Sequence, residues 1–290
     1  MAKNLDKNVF MTLSDFNTLD KETAKKELFA CCGSENWASA MMQHFPFATE
    51  KELVDWSSKI WYDECSETDW RESFTHHPKI GDVKSLTEKF AGKEQAGVAM
   101  ANQETIQHLA KANTDYETKN GFIFIVCATG KSATEMLALL NHRLQNTAEE
   151  ELQIAMGEQQ KISIIRFKKL LTDADFSFLK VSQITTHVLD TSTGIPGKDI
   201  SIRLQSFKNN IWQTIAQGIT NGDGRIPDLL PQDRNLKPDT YKMVFDTGSY
   251  YANTKTFYPK VEIIFSTFDE THYHVPLLVN PFGYSTYRGS

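Results

Sequence analysis

Histidine dominates the chemistry this chain could perform. His272 and His274 are two apart in a strand-like run and so share one face. His187 lies in a second strand-like run, Ile184 to Asp190, and Arg225 follows the tight turn Asn221-Gly-Asp-Gly224. Two or three imidazoles beside a guanidinium suit hydrolysis of a small anionic or carbonyl-rich ring. A neutral imidazole deprotonates water near neutral pH, and arginine holds an oxyanion or carbonyl in a forked geometry. Chain termini are usually frayed, yet Tyr287-Arg288-Gly289-Ser290 is rich in aromatic and polar groups, which predicts an end built into a site. Two blander readings stay open. Strand histidines are often surface or hydrogen-bonded core groups, and two on one face could bind zinc, although no acidic or cysteine partner has suitable local spacing. The Asn-Gly-Asp-Gly run superficially resembles a calcium loop, lacks the other EF-hand ligands and reads as a hairpin turn.

A second constellation lies earlier. In His76-His77-Pro78 the proline pins the backbone beside His77, which suits a positioned side chain and equally an ordinary helix end. Glu94-Gln95 opens a run inside an expected helix and alone would be a solvated face. Arg166 interrupts the apolar stretch Ile162 to Phe167 and there requires an acidic partner or an anionic ligand.

The elements that must position these groups change character along the chain. Residues 1 to about 172 read as helices. Thr49-x-x-Glu52, Ser85-x-x-Glu88 and Ser132-x-x-Glu135 fit capping boxes, and Trp37, Met41, Met42 and Phe45 recur at helical spacing. A long helix is expected from Ser85 to about Glu117, stopped at Asn120-Gly121, and another over about Ala148 to Leu171. Between them, Phe122 to Ala128 reads as a short buried extended segment or a helix start. From Val181 onward apolar residues alternate, as in Ile200, Ile202 and Leu204 or Val261, Ile263 and Phe265, with turn signals such as Lys208-Asn-Asn210 between them. A β-sandwich is expected there, with the boundary near Thr172 to Ser182. The fold class is therefore multidomain: an all-α N-terminal domain followed by a β-sandwich.

Composition narrows the function. At 290 residues two domains are the leading expectation. The net charge of −6 arises wholly before Ile184, because the remainder carries ten basic and ten acidic residues. No basic stripe exists, which disfavours nucleic acid, and no segment is apolar enough to span a membrane. The start lacks a signal core. Cys31, Cys32, Cys65 and Cys127 have no Cys-x-x-Cys spacing, so buried free thiols in a reducing cytoplasm are expected. A small-molecule partner fits best, with no metal.

The motifs of the second part, Ile184-Thr-Thr-His-Val-Leu-Asp-Thr-Ser-Thr-Gly194, Thr220-Asn-Gly-Asp-Gly-Arg225, Phe257-Tyr-Pro-Lys-Val261, His272-Tyr-His-Val-Pro276 and Gly283 to Ser290, resemble 5-hydroxyisourate hydrolase of the transthyretin-related family. The resemblance covers 183–290 and implies a sandwich that assembles as a tetramer with sites between dimers. It implies a catalytic set of His187, Arg225, His274 and Ser290, with Tyr287 and Arg288 against substrate. A transthyretin-like binding module without catalysis is the alternative. The first part, through Trp37-Ala38, Pro46-Phe47, His77-Pro78, Glu94-Gln95-Ala-Gly97, Phe122 to Ala128, Gly130-Lys-Ser132, Arg143-Leu-Gln-Asn146 and Ile162 to Arg166, resembles 2-oxo-4-hydroxy-4-carboxy-5-ureidoimidazoline (OHCU) decarboxylase. That resemblance implies an all-helical domain, set at 1–175, and a cofactor-free decarboxylation. In it His77 is the acid/base, Glu94 and Gln95 hold the ring or ureido group, and Pro78 contacts substrate by shape. Arg166 binds substrate oxygens, and the backbone of Phe124, Ile125, Val126, Cys127 and Ala128 lines the pocket. Ala91 stands where that family commonly has serine.

Overall fold

The computed structural model describes residues 11–77, 99–129, 131–179 and 181–289. The expectations for Pro78, Ala91, Glu94, Gln95 and Ser290, and the capping pattern at Ser85, lie outside them. Helices occupy the chain as far as Leu170: α1 (Leu13–Asn17), α2 (Lys21–Cys32), α3 (Glu35–Met41), α4 (Glu50–Lys59), continued by a π-helical turn over Ile60–Glu64, α5 (Glu67–Thr75), α6 (Ala99–Asn120), α7 (Ala133–Arg143) and α8 (Ala148–Leu170).

The local signals explain most of these limits. Ser132 and Glu135 make the reciprocal box that starts α7. At α4 only half the box forms: Thr49 accepts from the Glu52 amide, while the Glu52 carboxylate accepts from Ala48 instead of Thr49. Gly121, at φ 71°, ends α6 at the expected place. The helical spacing through Phe45 runs too far. α3 stops at Met41 because Phe45 precedes Pro46 and is barred from the helical region. Phe45 packs instead in edge contact with Phe16 and Phe47.

Internal contacts divide the chain into two compact units, residues 1–78 with 158–180, and residues 79–157 with 181–290. In the first, Trp37 is fully buried, stacks on Phe167 and donates to Ser57 O. The second unit holds α6, α7, the start of α8 and every strand: β1 (Ile184–Thr185), β2 (Val188–Asp190), β3 (Ile195–Pro196), β4 (Ser201–Lys208), β5 (Ile211–Ile219), β6 (Thr240–Phe245), β7 (Val261–Ser266), β8 (Tyr273–His274), β9 (Leu277–Asn280) and β10 (Gly283–Thr286), with the short helix α9 (Thr247–Tyr250) before β7. Two four-stranded sheets form, ordered β5-β4-β6-β7 and β10-β9-β2-β3, and β1 pairs with β8. Ile202, Leu204, Met243 and Val261 of one sheet share a single core with Val188, Leu277 and Val279 of the other. That is a sandwich. Asn209 and Asn210, at φ 52° and 63°, make the tight hairpin between β4 and β5 that Lys208-Asn-Asn210 signals.

One expected strand is broken. Ile184 to Asp190 splits into β1 and β2 around Thr186 and His187. The Val188 N–H turns aside to Gly224 O, and the facing chain has Pro276, which offers no N–H. Val275 N→Thr185 O and Leu277 N→His187 O carry the pairing across the gap. His187 therefore sits at a break, where a side chain is aimed by its neighbours as much as by the pleat.

Candidate active sites

At the sandwich site, His187 and Arg225 form an isolated antiparallel bridge, and so do His274 and Gly289. Arg225 is placed by its turn. Asn221 Oδ1 accepts from the amides of Asp223 and Arg225, both at 3.0 Å. Gly224 adopts φ 68°, where a Cβ would lie 2.3 Å from Val188 O, so glycine alone fits. Arg225 Nη2 then reaches His187 Nδ1 at 3.4 Å. A guanidinium only donates, so Nδ1 accepts and the neutral His187 ring carries its proton on Nε2. β1 and β8 pair in parallel, with Thr185 opposite His274. The Thr185 hydroxyl touches His272 Nε2 at 2.8 Å and His274 Nδ1 at 2.9 Å. The two rings lie near parallel, 18° apart, on the shared face expected for i, i+2 residues.

The end of the chain folds onto this cluster. Gly289 N donates to His274 O at 3.0 Å, Thr286 Oγ1 donates to Pro276 O at 2.8 Å, and the Arg288 guanidinium lies 5.1 Å over the Tyr273 ring. Tyr287 is 58% exposed. A Cβ on Gly289 would sit 2.4 Å from His274 Cδ2. Burial, then the Arg225 charge and the other histidines, hold His274 below the ordinary histidine range. Burial and Arg225 do the same to His187 against the opposing pull of Asp223. The cluster is thus neutral imidazole beside one fixed cation, able to take a proton from water and to hold negative charge.

The second constellation is built on α2, α5 and α8. His77 Nε2 lies 2.5 Å from Gln159 Oε1, while Gln159 Nε2 donates to Cys32 O at 3.0 Å. With its amide nitrogen committed to a carbonyl, the Gln159 oxygen must accept, so His77 donates through Nε2 and keeps its lone pair on Nδ1. Burial first, then the Arg166 charge, push His77 down to about 4, so its ring is neutral at pH 7. Arg166 Nη1 donates to Ala30 O and Cys31 O. Among the described residues it meets no carboxylate, although its apolar run asks for an anion. Cys31 and Cys32, both buried, lie at the end of α2 that supplies these carbonyls.

Phe122 to Ala128 is extended, with Phe124, Ile125, Val126 and Cys127 all buried. Arg143, 2% exposed, donates to Ile125 O at 2.6 Å and pairs with fully buried Glu151 at 2.8 Å. Tyr116 donates to the same carboxylate and Asn146 to its other oxygen. Sequence reasoning missed Thr185, Gln159 and this network. Thr185 had one usable signal, its place opposite His274 if the two strands were paired. Gln159 had none, being one glutamine among several in a helix. Among the described residues no group of three His, Cys, Asp or Glu could hold a metal ion, and no helix is long and apolar enough to cross a membrane.

Comparisons with known proteins match both parts. The OHCU decarboxylase family model covers residues 17–168, and that of the HIUase/Transthyretin family covers 184–289. The chain is 33% identical to the uric acid degradation bifunctional protein TTL of Arabidopsis thaliana, across 93% of this chain and 99% of that protein. Its last part is 44% identical to 5-hydroxyisourate hydrolase of Mus musculus, over 38% of this chain and 96% of the mouse protein. A crystal structure of (S)-allantoin synthase, 26% identical, overlays 97% of this chain and 100% of its own, loosely, at a TM-score of 0.42. With half its length in the first model and a full-length relative, this chain belongs to the OHCU decarboxylase family and carries a HIUase/transthyretin-family domain behind it.

Proposed function

We propose that the sandwich, residues 183–290, hydrolyses 5-hydroxyisourate and that the helical part, residues 1–175, decarboxylates the product, OHCU, to (S)-allantoin. The observation that carries the reading is the neutral cluster of His187, Arg225 and His274, clamped by Gly289. A carrier of uncharged rings has no need of a base beside a fixed cation. In hydrolysis, water adds to a ring carbonyl and the ring C–N bond breaks. A neutral imidazole takes the water proton and returns it to the leaving nitrogen, while Arg225 stabilises the oxyanion. Ser290, Tyr287 and Arg288 complete this site in the proposal.

In OHCU the carboxylate sits on the carbon that bears a hydroxyl, next to the ring imine. Loss of CO₂ sends the bonding pair toward the imine, so the substrate is its own electron sink and no cofactor is needed. Completing the reaction moves a proton from the hydroxyl to the neighbouring carbon. A neutral His77, with its lone pair on Nδ1, suits taking that proton and returning it to one face, which sets handedness. Glu94, Gln95, Pro78, Arg166 and the backbone of Phe124 to Ala128 would bind the substrate. Shown a labile intermediate, the joined sites raise its local concentration.

The assembly proposed is a tetramer through the sandwich. In support, Ile264 on the edge strand β7 and Phe282 and Tyr284 near the edge strand β10 are exposed. Cytoplasm is proposed on the four unpaired thiols. Separation of function tests the two sites. His274→Ala should abolish accelerated ring opening and spare decarboxylation, and His77→Ala should do the reverse. Decarboxylation undiminished in His77→Ala would sink the first assignment. The transthyretin side of the matched family keeps a pure binding module as the rival, supported if the wild-type sandwich binds the ring without opening it.

A further inference from the structure

The segment Phe124–Ala128 belongs to no helix or strand, so no ladder of its own fixes it. Two cations grip its carbonyls instead. Arg143 Nη1 donates to Ile125 O at 2.6 Å, and Lys131 Nζ donates to Cys127 O at 3.1 Å. Each cation is tied onward to the sandwich. Arg143 pairs with Glu151, whose Oε1 accepts from Asn146 Nδ2 at 2.6 Å. The same Asn146 Nδ2 reaches Gln217 Oε1 on β5, also at 2.6 Å. Lys131 Nζ reaches Asp228 Oδ2 at 3.2 Å, and Asp228 lies only three residues past Arg225. Beside these links, Thr214 of β5 donates to Glu150 Oε1 at 2.6 Å. All of these residues fall in one compact unit.

We propose that the hydrolase sandwich positions the decarboxylase pocket: Gln217 acting through Asn146, Glu151 and Arg143, and Asp228 acting through Lys131, hold the backbone of residues 124–128 where it meets substrate. The inference rests on the reading of that segment as a pocket wall. These are positioning residues, since none is assigned a contact with the reacting atoms. The Arg143 strut is sealed from solvent, with side-chain exposures of 2% for Arg143 and 0% for Glu151, so it belongs to the core as well as to the coupling. The Lys131–Asp228 strut is more open, at 23% and 41%, and can be altered without emptying a core. Charge-assisted hydrogen bonds of this kind are directional. Loosening one lets pocket amides drift from the line of the transition state, where small misplacements are costly.

The test uses the full chain in three forms: Lys131→Glu, Asp228→Lys and the double exchange. OHCU is produced fresh by a separate hydroxyisourate hydrolase, and decarboxylation is followed by circular dichroism. Each single exchange should lower decarboxylation kcat/KM about tenfold. The double exchange should restore it, because a coupled pair is not additive. Ring opening by the Lys131→Glu chain should match wild type. Undiminished decarboxylation in the single exchanges would overturn the proposal, and so would a loss that the double exchange fails to repair. If the wild-type chain itself does not decarboxylate OHCU, the pocket reading fails and the proposal goes with it. An active wild type with insensitive variants sinks the coupling alone.

Discussion

Replacing Gly289 by alanine tests the sandwich site through a single methyl group. The backbone at Gly289 is not in the left-handed region, so any residue could adopt it. The obstacle is purely steric: the new Cβ would lie 2.4 Å from His274 Cδ2, 3.1 Å from Cγ and 3.3 Å from Cβ. Comfortable carbon contacts begin near ~3.5 Å, so the ring must yield by about 1 Å. That movement breaks or stretches the 2.9 Å contact between His274 Nδ1 and Thr185. The hydrogen bond is worth about 1 kcal/mol, roughly fivefold in rate. Misplacing a catalytic ring by this much costs about 10²-fold, so displacement outweighs the lost bond. Hydroxyisourate decay, followed by absorbance, should show kcat/KM lower by about 10²-fold. The far-ultraviolet spectrum and the decarboxylation rate should be unchanged, because Gly289 makes no core contact beyond this ring. Ring opening at the wild-type rate in Gly289→Ala would refute the claim that the chain end clamps a catalytic histidine.

Other expectations follow from the same geometry. Thr185→Val keeps the shape and removes the hydroxyl shared by His272 and His274; hydrolysis should fall about tenfold, read in the same absorbance assay. Hydrolysis should persist as pH drops through 6.5 and fail only lower, since burial and Arg225 hold His187 and His274 below that value and keep them neutral; a pH profile breaking at or above 6.5 would contradict this. For decarboxylation, Gln159→Glu places a carboxylate on His77 Nε2 and raises its pKa from about 4. The acid limb of that profile should then move to higher pH. Arg143→Leu leaves the Glu151 carboxylate buried without its cation, and urea unfolding should show a loss of about 3–5 kcal/mol.

What could be read from the sequence, and what could not, divides along physical lines. Periodicity separates the helices before Leu170 from the strands after Ile184 because both patterns report burial on a regular element. The Ser132 box and the Asn209-Asn210 hairpin were legible because they are short-range chemistry. The helix through Phe45 was overextended because the backbone restriction imposed by Pro46 outweighs apolar spacing. Ile184 to Asp190 was read as one strand, and its break depends on Gly224 and Pro276, residues far off in the chain. His187, Arg225 and His274 do come together, as expected from their types. The partners that fix them were hidden for the same long-range reason. Thr185 meets His274 only through parallel pairing across the sandwich, and Gln159 meets His77 only once α8 returns to α2.

The most direct measurement generates 5-hydroxyisourate from urate with urate oxidase, adds the intact chain, and records absorbance and circular dichroism together. Two working sites require fast loss of the first intermediate followed by a growing optical signal from a single allantoin enantiomer. Fast ring opening with racemic product would contradict the decarboxylase assignment, and no acceleration of either step would contradict both.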